Sequence, residues 1–95
     1  YNNRSIHIEM SGHNFNALIE GWANPEMTEA IEKTTDKTTD LVVSLLWFYH
    51  IDPANVFGHY QVGRGKADPG NLYFEQYFLP QLQEKWEAFQ QSLQP

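Results

Sequence analysis

Two hydrophobic periods divide this chain. In residues 5–10, Ile6, Ile8 and Met10 alternate with Ser5, His7 and Glu9. That two-residue period predicts a strand with one buried face, and it places His7 and Glu9 together on the polar face. Residues 11–23 carry Gly12, Asn14, Asn16 and Gly21 and read as loop, with a short turn of helix around Leu18. Asn24-Pro25-Glu26 then has the grammar of a helix start: a capping side chain, proline at the first helical position and an acid near the positive end of the dipole. Met27, Ile31, Thr34, Thr38, Leu41, Val42, Leu45, Leu46 and Tyr49 follow at helical spacing, opposite a polar face of Glu29, Glu32, Lys33, Asp36, Lys37 and Asp40. Asp52-Pro53 predicts the stop, because proline restricts the residue before it and cannot continue the hydrogen-bond ladder.

Residues 55–61 read as a second strand, with Val56 and Phe57 at its start, and Gly63, Gly65, Pro69 and Gly70 mark a loop after it. A last helix is predicted over residues 72–93. Phe74, Tyr77 and Phe78 form its first apolar patch and Leu82, Trp86, Phe89 and Leu93 its second, with a kink or break expected at Pro80 between them. The apolar stripe of residues 41–49 and the Trp86–Phe89 pair are expected in the core. The order strand, helix, strand, helix predicts an α/β fold with parallel strands joined by a right-handed crossover. Two strands do not make a stable sheet, so further strands are expected from outside this chain.

Composition narrows the function classes. The 95 residues suffice for one domain. A net charge of −6 argues against nucleic acid and against an electrostatic membrane-surface role, both of which need clustered Lys and Arg. There is no cysteine, so neither a disulfide framework nor a thiolate metal site can form. The longest apolar run, residues 41–49, is interrupted by Ser44 and is too short to span a bilayer.

The chemistry-bearing residues gather in residues 57–70, where glycines separate His59, Lys66 and Asp68. Zinc accepts imidazole nitrogen and carboxylate oxygen, and a catalytic site usually takes three protein ligands plus a water. His59 and Asp68 supply two candidates, and Lys66 a cation that could steady a developing negative charge. On spacing alone, a surface histidine and a turn aspartate is the simpler reading. Among the other residues, His7 reads as a cleft wall beside Glu9, and His13 as an exposed loop residue. His50 meets the negative end of the long helix. Trp22 and Tyr60 either line a groove or pack.

Three motifs in order change that balance: Ser5-Ile6-His7-Ile8-Glu9, then Gly58-His59, then Lys66-Ala67-Asp68-Pro69-Gly70. Together they resemble the second half of the type 2 N-acetylmuramoyl-L-alanine amidases, the zinc family that includes AmpD and the peptidoglycan recognition proteins. The resemblance implies a central mixed sheet flanked by helices, with this chain as the C-terminal portion (1–95) of one amidase-like domain. It implies Zn2+ held by His59 and Asp68, Glu9 as the catalytic carboxylate and Lys66 at the oxyanion. His7 and Tyr60 become candidate substrate contacts. The family's first zinc histidine has no counterpart here, so the expectation is that an upstream segment or a second chain supplies it. The implied activity is hydrolysis of the amide between N-acetylmuramic acid and L-alanine in peptidoglycan or a muropeptide, with a non-catalytic muropeptide-binding module as the alternative. The compartment stays open: the cell envelope or a place outside the cell is favoured, with the cytoplasm as the alternative.

Overall fold

The computed structural model describes Ile8, residues 15–62, Gly65 and residues 68–93. Among these residues the fold is helical and contains no strand. Helix α1 (Asn16–Glu20) is one short turn, closed by Gly21 in the left-handed conformation. Helix α2 (Pro25–Tyr49) is the long axis of the molecule. A 3-10 turn (Pro53–Asn55) leads into the short helix α3 (His59–Val62). Helix α4 (Asn71–Tyr73), a π-helical segment (Phe74–Phe78) and helix α5 (Leu79–Ser92) then follow without a gap.

The α/β expectation with a central mixed sheet is therefore corrected. The predicted strand over residues 55–61 is a 3-10 turn, an extended link and the helical turn of α3. A local turn overrides the β-propensity of Val56 and Phe57: the Gln61 side chain accepts from the Gly58 N–H at 2.7 Å and the Gln61 N–H donates to the Gly58 carbonyl at 2.9 Å, which closes the turn. The other predicted strand, residues 5–10, lies outside the described residues except for Ile8, which is exposed.

Helix α2 starts as its sequence dictates, with the Asn24 side chain accepting from the Met27 N–H at 2.8 Å. It ends before Asp52-Pro53. His50 adopts the left-handed conformation at φ 56 and its N–H returns to the carbonyls of Leu46 and Trp47, a helix terminus usually built on glycine. Asp52 caps the next turn instead, accepting from the Ala54 N–H at 2.8 Å.

The core joins Phe15, Ile31, Val42, Val43 and Leu46 to Tyr73, Phe74, Phe78 and Leu82, so α2 packs against the chain from α4 through α5. Trp86 and Phe89 pack on it half-buried. The expectation that the whole stripe of residues 41–49 is core is corrected: Leu41, Trp47, Phe48 and Tyr49 are exposed. Thr35 and Thr39 are fully buried in their place. Each hydroxyl donates to the carbonyl four residues earlier at 2.7 Å, which removes the cost of an unpaired polar group in the core. Thr35 also meets the buried Tyr73 hydroxyl. The acidic face of α2 is partly engaged, with Lys85 of α5 bridging Asp36 and Asp40 at 2.7 and 2.9 Å.

The break expected at Pro80 takes another form. Helical structure runs through from α4 into α5, and the Leu79 N–H reaches back five residues to the Phe74 carbonyl. The wider π turn just ahead of Pro80 accommodates a residue that lacks an N–H and crowds the preceding turn.

Candidate functional site

The site is built on α3 and on the loop that returns to it. Gly58 precedes α3 and is buried. A β-carbon there would lie 2.5 Å from Cε1 of Tyr60, so only glycine lets that ring fold back. The Tyr60 ring packs edge-on against Phe74, with centroids 6.0 Å apart. This anchors α3 to the core and leaves His59, the first residue of the turn, at the surface.

The loop is tied down at several points. The Tyr60 N–H donates to the Asp68 carbonyl at 3.2 Å, and the Phe15 N–H to the Pro69 carbonyl at 3.2 Å. The Asp68–Pro69 peptide bond is cis. Asp68 Oδ2 and His59 Nδ1 stand 3.0 Å apart, with side-chain exposures of 57% and 48%. The two sequence-predicted ligands therefore meet by a side-chain contact, beside the backbone bond that Asp68 makes with Tyr60. An ionised carboxylate only accepts, so in such a contact the Nδ1–H of the ring is the donor.

The pair suits a small cation by its chemistry. One imidazole nitrogen and one carboxylate oxygen are ordinary zinc donors, and two ligands about 2.1 Å from a tetrahedral centre stand roughly 3.4 Å from each other. A small rotation of either side chain from 3.0 Å reaches that separation. Among the described residues no third His, Asp or Glu joins them.

The other candidates separate. Glu9, His7, Lys66 and His13 lie outside the described residues. Tyr60 is turned toward the core, not into a groove: its hydroxyl is buried without a hydrogen-bond partner among the described residues. Burial, and secondarily the nearby Glu75 carboxylate, raise its pKa above the usual phenol value. Trp22 is exposed and donates through Nε1 to Glu20 at 2.9 Å, a surface contact. An open groove of about 680 Å³, lined by Asp52, Glu75, Trp86 and Glu87 among others, includes neither His59 nor Asp68.

Sequence reading missed Asn16, taken as a loop residue. Its buried side chain accepts from the Tyr73 N–H at 2.8 Å and donates to Asn71 Oδ1 at 3.1 Å. No pattern of spacing marks such a residue, because its partners are set only when α1 docks on α4.

No helix among the described residues is long and apolar enough to cross a membrane. Comparison with protein-family models, curated proteins and solved structures returned no match for this chain.

Proposed function

We propose that this chain carries part of the site of a zinc-dependent amidase that hydrolyses the bond between the lactyl group of N-acetylmuramic acid and L-alanine. The observation that carries the proposal is the 3.0 Å approach of His59 Nδ1 to Asp68 Oδ2. The helical fold gives it no support, since the family resemblance implies a sheet; the reading rests on the three motifs and this convergence.

His59 and Asp68 would hold the metal, with a further ligand from outside the described residues. Bound zinc supplies Lewis acidity, bringing the pKa of a coordinated water to about 7. Glu9 accepts a proton from the attacking water and delivers it to the departing amine of L-alanine. The lactyl carbon keeps the water oxygen as a carboxylate, and the carbon–nitrogen bond breaks. Lys66 sets a positive charge beside the carbonyl oxygen as negative charge builds there.

Zinc titration by calorimetry, together with release of peptide from an N-acetylmuramoyl-peptide, tests the proposal. Wild-type protein should bind zinc and release free L-alanine amino termini. His59→Ala and Asp68→Ala should lose the metal, and Glu9→Gln should keep it and lose turnover. Zinc and muropeptide bound without cleavage would move the assignment to a binding module. Binding of neither ends the proposal.

A further inference from the structure

We infer that Asn16 is a positioning residue for the His59–Asp68 pair, an inference that rests on the reading of that pair as the site. The argument begins at Gly70, the residue before α4. Its backbone, at φ 115, is one that residues with a side chain rarely adopt, and no side chain there caps the helix. The first N–H groups of a helix have no partner within it. Asn16 supplies one from 57 residues away, accepting from the Tyr73 N–H, the third of α4. Its amide nitrogen reaches Asn71, the first residue of α4. The neighbouring Phe15 holds Pro69 through its own N–H, and its ring meets Tyr73 edge-on at 5.0 Å.

Asp68 thus leads directly into a segment whose register is set by α1. A shift of α4 along its axis would carry Pro69 and Asp68 with it and open the contact to His59. The bonds of Asn16 to Asn71 and to the Tyr73 N–H act on the pair through the backbone of residues 69–73. Outer partners of metal ligands commonly change affinity 10–100-fold when removed.

The test compares Asn16→Ala with Val43→Ala, a core truncation away from the loop, at a temperature where both are folded. Two readouts are taken: the 15N and 1H resonances of the His59 ring without metal, and the zinc dissociation constant. Asn16→Ala should move the ring resonances toward those of Asp68→Asn and weaken zinc 10–100-fold. Val43→Ala should lower the melting temperature and leave both readouts at their wild-type values. Asn16→Asp keeps an acceptor for the Tyr73 N–H and should restore the ring resonances. If Asn16→Ala does not fold, Asn71→Ala replaces it, and a partial ring shift is expected. Wild-type ring resonances in the variant that folds overturn the inference. If wild-type protein binds no zinc, the ring resonances still decide the role of Asn16, and only the amidase proposal falls.

Discussion

The α2–α5 frame and the His59–Asp68 loop are stabilised by different means. The frame buries Val42, Leu46, Phe78 and Leu82 across a helix pair, and even its hydroxyls are paired within it. At the loop, His59 and Asp68 are exposed, the described end at Asp68 and Pro69 accepts hydrogen bonds from the Tyr60 and Phe15 N–H groups, and Asn16 bonds the start of α4 just beyond it. Burial is distributed over many contacts, so the frame tolerates the loss of any one in proportion to its size. The loop depends on a few directional bonds, each of which fixes a position more than it adds stability.

Leu82→Ala tests the frame hardest. Leu82 is 1% exposed, and truncation should cost about 2–5 kcal/mol. Chemical denaturation should show that loss while the His59 ring signature persists until the chain unfolds. A disturbed ring in the folded variant would mean that the two regions are not separable.

Gly58→Ala attacks the joint between them. The new methyl would press on the Tyr60 ring at 2.5 Å, and overpacking of this kind costs about 1–3 kcal/mol. The melting temperature should fall and the His59–Asp68 contact should weaken together, the reverse of the Leu82 result.

Alkaline pH sharpens the comparison from the frame side. Burial pushes the Tyr73 phenol up to about 12, outweighing the opposing hydrogen bond with Thr35. A phenol that ionises near 10 in the unfolded chain and near 12 in the folded one holds more protons when folded across that window. Stability should therefore decline as pH rises from 10 to 12. Tyr73→Phe should flatten the decline in thermal melts; an unchanged slope would assign it to other groups.

Tyr60→Phe has the smallest expected effect. The hydroxyl it removes is buried and unpartnered, so stability should stay level or rise by roughly 1 kcal/mol. Zinc affinity should be unaffected. A loss of binding would return Tyr60 to the site.

What the sequence made legible follows the range of the forces involved. The start of α2 could be read because Asn24, Pro25 and Met27 interact within one turn. The approach of His59 and Asp68, nine positions apart, was open to expectation because the glycines between them let the chain fold back. The second strand was misread because the β-preference of Val56 and Phe57 was weighed above the Gly58–Gln61 turn beside them and the Tyr60–Phe74 contact that only the fold supplies. Thr34 and Thr38 were read into the buried stripe in place of their neighbours Thr35 and Thr39, because residues of one kind side by side leave no local sign of which pair meets Tyr73 and the core. Asn16 was invisible because a cap delivered from a distant helix leaves no local signature.

The π segment Phe74–Phe78 has a mechanical consequence. Each residue of an α-helix advances the chain by about 100° and 1.5 Å. The wide turn therefore works as a phase adjuster between the end that presents Asp68 and the end that seats Leu82. Deleting one residue there would let the backbone relax into an unbroken spiral with both ends near their present phase, because the wide turn already absorbs the extra residue; a deletion elsewhere in this helix would swing one end against the other by about a quarter revolution. The molecule could then keep its interior or its surface pair in register, and not both.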